Sequence, residues 1–183
     1  ANFPPYLSLN YKSPGFSIET KDNAALDIIA TLLFSERSDL YKKLVIEEQK
    51  LRSLSGGAYY TRDPFLFMIN SSLVDAADMG YVKDEIEKAL QDLKNNPVDS
   101  ALLADTKSNL SYSFSMSLDN PTSIAEMLSY AIWVSGDPEA FNKLYAQYEQ
   151  VTQDDIMQVA QKYFVPEKLT IATISPKAEG GLK

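Results

Sequence analysis

The hydrophobic pattern of the chain changes its period within one stretch, Asp39 to Asp63. The first half of this stretch repeats apolar residues at helical spacing and predicts an amphipathic helix over residues 39–50. Its apolar positions are Leu40, Tyr41, Leu44 and Val45. The second half predicts a strand around residues 53–61, which contains Gly56 and Gly57. A glycine pair inside a strand indicates a bulge or the close approach of another backbone, so this strand is expected to be irregular.

Periodicity along the rest of the chain predicts a strand, two helices, two strands, four or five helices and a closing strand. The further strands are predicted over residues 3–12, 65–73 and 169–174, and the one at 65–73 is expected to be central in the sheet. The tail from Ala178 to Lys183 is expected to be frayed. Early strands followed by segregated helices predict an α+β fold, with a mostly antiparallel sheet covered by helices.

Capping residues mark the helix boundaries in the second half of the chain. Asp99 is expected to cap one helix and Asn120 the next, where Pro121 takes the first helical position. Thr152 and Asp155 resemble a capping box that opens the last helix. The helix after Pro121 is expected to turn four apolar residues inward: Ile124, Met127, Leu128 and Ala131.

Composition places the chain among ordinary globular proteins, because 45% of its 183 residues are hydrophobic and 11% are aromatic. This length suits one domain, which is expected to span residues 1–183. The formal net charge is -8, and the acidic residues are spread along the chain. Phosphate neutralisation supplies most of the affinity for nucleic acids, so an acidic chain argues against binding to DNA or RNA. No apolar run approaches the ~20 residues that a transmembrane helix needs.

The chain contains neither cysteine nor histidine. Without cysteine there is no disulfide, no thiolate nucleophile and no thiolate metal site. Without histidine, serine–histidine catalysis, cysteine–histidine catalysis and zinc sites built on imidazole are excluded within this chain. The sequence therefore predicts that the chain binds no catalytic zinc by itself.

Paired acidic and clustered aromatic residues are the remaining candidates for a site. The densest acidic groups are Glu47–Glu48, Asp78 with Asp84–Glu85, and Asp154–Asp155. Paired carboxylates carry out acid–base chemistry or hold hard cations, but a solvated helix face or a contact with a helix dipole is favoured here. A second cluster offers either a peptide-binding face or alternating core positions, of which the core is favoured: Tyr59, Tyr60, Phe65 and Phe67.

The order of the elements and several segments together resemble the pitrilysin/insulinase family of zinc peptidases. The segments are SERSDLYKKLVIEEQ, TRDPFLFMI, NNPVDSALLADTKSNL and the long stretch from DNPTSIAEMLSYAIWVSG to PEKLTIATISP. The similarity covers roughly residues 6–176 and points to the C-terminal, non-zinc half of a bacterial member. The resemblance implies the α+β metallohydrolase fold of pitrilysin and mitochondrial processing peptidase. It also implies that two such halves or two chains clasp a chamber in which a peptide is cleaved.

The N-terminal half of such a peptidase carries an inverted zinc motif, His-x-x-Glu-His, with a more distant glutamate ligand. On this resemblance, the equivalent helix of the present chain places Asp27, Ala30 and Thr31 at the His, Glu and His positions. Both imidazoles and the general-base glutamate are missing. This half is therefore expected to lack both hydrolytic activity and a cofactor, while zinc is expected in the N-terminal half of the parent chain.

Some C-terminal halves of the family hold the substrate backbone with an arginine and a tyrosine, in the pattern Leu-Arg-x-x-Glu-x-x-x-Tyr. Leu44 and Glu48 match this pattern here, but Val45 stands at the arginine and Arg52 at the tyrosine. Since a valine side chain donates no hydrogen bond, direct clamping of a substrate by this pair is not expected. In two-chain bacterial members, one chain holds zinc and the other supplies the pair, so the parent chain is expected to need a partner.

The sequence is therefore interpreted as a non-catalytic domain of a zinc metalloendopeptidase that helps to enclose a peptide substrate. Its expected partners are the N-terminal half of the parent chain and a second family chain or a second copy. The expected contact residues lie on an edge strand, which offers unpaired backbone groups. They are Arg52, Gly56, Gly57, Tyr59 and Tyr60.

Two alternative functions stay open at this point. One is a scaffold or assembly subunit of the same family without peptidase activity, and the other is a stand-alone peptide-binding module. An intact zinc motif in the preceding sequence would support the peptidase, and a degenerate one the scaffold. Bacterial relatives are often exported, which favours a periplasmic or otherwise extracytoplasmic location.

Overall fold

The structure, a computed structural model, describes residues 3–175 of the chain. Its strands are β1 (Tyr6–Ser13), β2 (Leu51–Ala58), β3 (Phe65–Leu73) and β4 (Leu169–Ile174). Its helices are α1 (Asp22–Phe34), α2 (Asp39–Tyr41), α3 (Met79–Asn95), α4 (Ser100–Ser117), α5 (Pro121–Ser135), α6 (Ala140–Gln150) and α7 (Gln153–Tyr163). The helix predicted over residues 39–50 is α2, which continues as a π-helix over Lys42–Glu47. The tail expected to be frayed, Ala178 to Lys183, lies outside the described residues.

The four strands form one antiparallel sheet in the order β2-β3-β1-β4. β3 pairs with β2 on one side and with β1 on the other, so the strand at 65–73 is central as predicted. β1 pairs with β4 in a register that places Tyr6 opposite Ile174. The predicted α+β class, with an antiparallel sheet covered by helices, is confirmed.

The core lies between one face of the sheet and the helices. Successive residues of a strand point to opposite faces, and one set of alternate positions on β1 and β3 is fully buried. This set includes Leu7, Leu9, Phe67, Ile69 and Leu73. α1 packs on β2 and contributes five fully buried residues: Ala24, Ala25, Leu26, Ile28 and Ile29. Burying a leucine or isoleucine side chain contributes about 1.5–3 kcal/mol, so this layer positions α1 firmly over the sheet.

The predicted helix starts are confirmed. The side chains of Asp99, Asn120 and Thr152 each accept a hydrogen bond from a backbone N–H in the first turn of α4, α5 and α7. Asp155 completes the capping box at Thr152. Gly136 ends α5 with a φ of 78°, which is the left-handed conformation that glycine adopts without a steric penalty. These boundaries fix the lengths of the helices that cover α1.

The burial predicted for α5 is wrong in part. Ala131 is buried, Met127 and Leu128 are half-buried, and Ile124 is exposed. α5 is apolar around most of its circumference, so the periodicity does not select which side faces α6. Apolar as α5 is, none of the helices in the described part of the chain is long and apolar enough to cross a membrane.

Candidate functional site

Asp27 lies in the middle of α1 and connects three parts of the domain. Its carboxylate Oδ2 accepts a hydrogen bond from the Tyr60 hydroxyl and another, 2.8 Å long, from the Tyr148 hydroxyl. Tyr60 follows the end of β2, and Tyr148 belongs to α6. One carboxylate oxygen therefore fastens α1 to the β2–β3 loop and to α6.

The surroundings of Asp27 favour its neutral form. Burial raises the pKa of Asp27 to about 6, because removal from water penalises the charged carboxylate, while the two phenol hydrogen bonds lower it. Burial and the negative charge of Asp27 raise the pKa of Tyr60 and of Tyr148 well above the usual range of a phenol. Burial also raises the pKa of the nearby Tyr145 to about 12. The cluster thus holds one carboxyl that titrates near neutral pH among phenols that stay protonated.

The three residues that the resemblance aligns with the zinc motif do not fit a zinc ion. Asp27 is engaged by the two phenols, and Ala30 has no ligand atom. The hydroxyl of Thr31 donates a 3.0 Å hydrogen bond to the backbone carbonyl of Asp27. Zinc sites in proteins use three or four N, S or O ligands, and no group of three or more metal-ligating side chains comes together within residues 3–175. α1 therefore serves the packing of the domain.

Sequence reasoning identified Asp27 only as a replaced ligand position and missed its tyrosine partners. The two tyrosines lie 33 and 121 positions away along the chain, so no local spacing connects them to Asp27. The available signal was a lone acidic residue in the interior of an apolar helix. Such a residue needs a hydrogen-bond partner from another element, since buried polar groups are almost always paired.

The five predicted contact residues do not share one surface. Arg52 is exposed at the irregularity in β2, and Tyr59 follows the strand with 55% of its surface exposed. Gly56 and Gly57 lie within β2, and both are half-buried. Tyr60 turns its hydroxyl inward to the Asp27 cluster. The role of these residues in contacting a peptide or a partner stays a prediction.

The two glycines of β2 have different surroundings. A Cβ on Gly56 would collide with the ring of Phe34 at the end of α1, whereas a Cβ on Gly57 would meet nothing within 4 Å. The irregular strand pairing occurs earlier, between Leu51 and Ser53. The close approach expected at the glycine pair is therefore made by an aromatic side chain, and the bulge lies elsewhere in the strand.

Half of the side chains on the sheet face opposite the core are small and polar. By strand alternation and register, this open sheet face consists of Tyr6, Ser8, Asn10, Lys12, Ser53, Ser55, Gly57, Leu66, Met68, Asn70, Ser72, Thr170, Ala172 and Ile174. Lys12 is the one charged residue in this set, although 23% of the whole chain is charged. Depletion of charge is typical of the centre of protein interfaces.

Hydrogen bonds order the centre of the open sheet face. The Ser8 hydroxyl donates to the Asn70 side-chain oxygen at 2.9 Å, which joins β1 to β3. The Asn10 amide donates to the Thr170 carbonyl at 3.3 Å, which joins β1 to β4. Ser8 and Asn10 are themselves buried. These hydrogen bonds between neighbouring strands fix the side chains at the centre of the face.

A groove of about 780 Å³ opens between α2 and the C-terminal part of α3. Its wall combines leucines such as Leu40 and Leu93 with an ion pair between Lys43 and Glu85 at 2.5 Å. The hydrogen bond that the Lys43 ammonium donates to the Glu85 carboxylate raises the pKa of Lys43. None of the five predicted contact residues lines this groove.

Several solved structures share the fold of this chain. A protease from Helicobacter pylori superposes with a TM-score of 0.84 at 23% identity, over 94% of this chain and 41% of that chain. The inactive peptidase domain of a proposed zinc protease from Bordetella parapertussis superposes with a TM-score of 0.83 at 22% identity. The match covers 97% of this chain and 95% of that chain. A chain of complex III from Candida albicans superposes with a TM-score of 0.78 at 13% identity, over 93% of this chain and 43% of that chain. The fold is that of peptidase domains, and this chain spans about two fifths of the Helicobacter chain.

The family follows from the sequence itself. The family model described as the Peptidase M16 inactive domain matches residues 4–110, which is more than half of the chain. The chain belongs to the M16 peptidase family, and the matched region is its inactive domain. A comparison with curated proteins finds no match. The resemblance to the non-catalytic half of a zinc peptidase is thereby confirmed.

Proposed function

We propose that this chain is the non-catalytic domain of a zinc metalloendopeptidase and forms part of the wall that encloses the peptide. Residues 1–183 act as one domain, the C-terminal half of a longer chain whose N-terminal half holds the zinc. The observation that carries the proposal is the structure around α1. The zinc-motif positions hold Asp27, Ala30 and Thr31, and the carboxylate of Asp27 is engaged by two phenols.

The open sheet face supports the role of a wall. Small side chains allow an extended peptide to approach the sheet closely, and a surface with one positive charge does not select strongly among peptide sequences. β2 lies at the edge of the sheet, where backbone groups are available to an added strand. Within the proposal, Arg52, Gly57 and Tyr59 contact the peptide or a partner. Gly56 and Tyr60 position β2 and its loop.

The proposed partners are the N-terminal half of the same chain and a second family chain or second copy. The support is the length of the Helicobacter chain, of which this chain covers 41%. The proposal includes an extracytoplasmic location, as in exported bacterial relatives.

An assembly subunit without peptidase activity is the second candidate function. The observation that favours it is the complex III chain from Candida albicans, which has the same fold at a TM-score of 0.78. On this alternative, the open sheet face contacts another subunit instead of a peptide. The two functions differ in whether the complete gene product cleaves peptides.

The test compares cleavage of an unstructured peptide by the full-length gene product and by residues 1–183 alone, each with added zinc and with a chelator. We expect the full-length product to cleave only with zinc and the isolated domain not to cleave. Cleavage by the isolated domain would overturn the proposal. A full-length product that assembles with a partner but never cleaves would favour the assembly subunit.

A charge substitution tests the role of the open sheet face. Ser55→Glu places a carboxylate on this face, and we expect it to reduce kcat/KM for an acidic peptide several-fold, by about 1 kcal/mol or more of like-charge repulsion. Ser108→Glu makes the same change at an exposed position of α4 and is the control. Equal activity of the two variants would remove the open sheet face from the proposal.

A further inference from the structure

β2 holds one residue more than strand alternation allows between two of its core positions. In a regular strand a single residue separates neighbouring core positions, whereas Arg52 and Ser53 both lie between the buried residues Leu51 and Leu54. Both are exposed, and the pairing with β3 is interrupted between Leu51 and Ser53. A bulge of this kind re-aims a side chain. Arg52 therefore points away from the core, on the same side as the open sheet face.

The backbone that leads to Arg52 is irregular at two further places. Lys42–Glu47 is a π-helix, and Gln49 has a φ of 52°, in the left-handed region that residues other than glycine rarely adopt. Such conformations cost free energy and are concentrated at functional sites of proteins. With the bulge, residues 42–53 therefore contain three irregularities, and all of them lie just before Arg52 or at it.

Contacts on both sides of Arg52 hold its backbone in place. The Lys50 carbonyl accepts a 2.9 Å hydrogen bond from the Val74 amide, and the Lys50 ammonium forms a 2.7 Å ion pair with Asp78. At Ser53 the strand returns to its pairing with β3. The neighbours of Arg52 thus fix the position of its backbone, while its own side chain extends to solvent.

Arg52 differs from the other two arginines of the chain in its contacts. Arg37 donates a 3.3 Å hydrogen bond to the side chain of Asn109, and Arg62 donates to the backbone carbonyl of Trp133. Within residues 3–175, the Arg52 guanidinium forms neither an ion pair nor a side-chain hydrogen bond. All of its N–H donors are therefore available to a ligand.

The charges beside Arg52 indicate the chemistry of that ligand. The open sheet face contains no acidic residue and one basic residue, Lys12, although the chain has 25 acidic residues. A guanidinium forms its strongest hydrogen bonds with a carboxylate, often through two parallel N–H···O contacts. β2 is an edge strand, and within the described residues only β3 pairs with it. An extended peptide that pairs with the free edge of β2 passes Arg52.

We propose that Arg52 binds an acidic side chain of an extended peptide paired with β2, so that the protein prefers peptides with a carboxylate at one position. This role of Arg52 rests on the proposed function, from which it takes the bound peptide. The ligand is a glutamate or aspartate side chain, because an endopeptidase acts on interior segments of a peptide, where the carboxylates belong to side chains. The open sheet face does not select strongly, so the preference arises at Arg52.

The test moves one carboxylate along an unstructured peptide. Each peptide has blocked termini and a single glutamate in an otherwise uncharged sequence, and it is compared with the same peptide carrying glutamine. For the full-length gene product, kcat/KM is measured with zinc, and binding is measured by fluorescence anisotropy with a chelator, so that no peptide is cleaved. At one position, we expect glutamate to be favoured about three- to fivefold over glutamine in both measurements, as a single exposed ion pair provides.

Four variants assign the preference to a residue. Arg52→Gln is expected to abolish the preference, and Arg52→Glu to reverse it in favour of lysine at the same peptide position. Arg52→Lys is expected to retain part of it, because lysine keeps the charge but not the paired geometry. Arg37→Gln removes the same charge from another exposed position and is the control, which should keep the full preference.

The same preference in Arg52→Gln and in the wild type would overturn the role of Arg52. So would the absence of any glutamate preference, or a product that neither binds nor cleaves the peptides. A second peptide set with a free C-terminus identifies the carboxylate, and a preference confined to that set would exclude a side chain as the ligand and overturn the role as well.

The two measurements separate this role from the proposed function. Zinc-dependent cleavage without a contribution from Arg52 would refute the role of Arg52 and leave the proposed function standing. Arg52-dependent binding without any cleavage would support the role of Arg52 and refute only the peptidase function.

Discussion

The Tyr148 hydroxyl donates a 2.8 Å hydrogen bond to the Asp27 carboxylate and so joins α6 to α1 across 121 positions of the chain. Tyr60 donates to the same oxygen from the β2–β3 loop. Asp27 thus forms a structural cross-link between α1, α6 and the β2–β3 loop.

Asp27→Asn is expected to change the pH dependence of stability. Burial raises the pKa of Asp27 from 3.8 to about 6, so the folded state binds its proton more tightly than the unfolded state does. Stability is therefore lost as the pH rises from about 4 to about 6, and the ionised group costs at most about 3 kcal/mol above that range. Urea unfolding measures the free energy of unfolding of both proteins at pH 4 and at pH 7.5. Relative to the wild type, the variant should be about 1–3 kcal/mol more favourable at pH 7.5 than at pH 4.

Asp105→Asn is the matched control for this experiment, because Asp105 is exposed on α4. The difference in free energy of unfolding between Asp105→Asn and the wild type is expected to be nearly the same at the two pH values. If Asp27→Asn behaved like the control, Asp27 would not titrate near neutral pH in the folded protein.

Tyr148→Phe is expected to destabilise the domain by about 1.5–3 kcal/mol at pH 7.5, because it removes a hydrogen bond to a charged, half-buried group. The loss should be smaller at pH 4, where the Asp27 carboxyl is neutral. The removed hydrogen bond lowers the pKa of Asp27, so that pKa should rise further in the variant. Urea unfolding measures these effects, with Tyr112→Phe at an exposed α4 position as the control. A loss that is the same at both pH values would mean that the charge of Asp27 is not involved.

Gly56→Ala and Gly57→Ala form a matched pair within β2. The added methyl group on Gly56 meets the Phe34 ring, whereas the one on Gly57 meets no atom within 4 Å. Overpacking costs about 1–3 kcal/mol, so Gly56→Ala should lower the thermal unfolding midpoint while Gly57→Ala leaves it nearly unchanged. In a Phe34→Leu background, the unfolding midpoints of Gly56→Ala and Gly57→Ala should lie closer together. Equal midpoints would show that Phe34 moves away without cost.

Thr152→Ala is expected to lower stability by about 1 kcal/mol, because the hydroxyl caps α7 and belongs to the capping box with Asp155. Chemical denaturation of the variant and of Thr122→Ala, an exposed position in the first turn of α5, provides the comparison. The control is expected to change stability by less than about 0.5 kcal/mol. Similar losses for both variants would argue against the cap.

The features that the sequence predicted correctly depend on neighbouring residues. A cap requires a side chain within three or four positions of the N–H that it accepts from, so Asp99, Asn120 and Thr152 were recognisable from their immediate surroundings. The strand β3 was recognisable from a run of neighbouring apolar and aromatic residues, Phe65 to Ile69. The fold class follows from the order of these elements.

The features that the sequence did not predict depend on residues far apart in the chain. Asp27 and Tyr148 come from separate helices, and the ring beside Gly56 comes from Phe34 in an earlier helix. The inward face predicted for α5 was wrong at Ile124, because hydrophobic periodicity reports which residues avoid water and not which partner covers them. The placement of Tyr60, inward and bonded to Asp27, was likewise set by tertiary structure.

The order of strands in the sheet has a consequence for synthesis on the ribosome. β1 emerges first and β4 last, yet they are neighbours, with Tyr6 opposite Ile174. A nascent chain that has not yet reached Leu169 therefore carries β1 with one edge unpaired. Exposed strand edges can pair with other chains, so the unfinished domain presents an edge that is open to such pairing until β4 is added. The sheet is therefore complete only after β4 has been synthesised and has paired with β1.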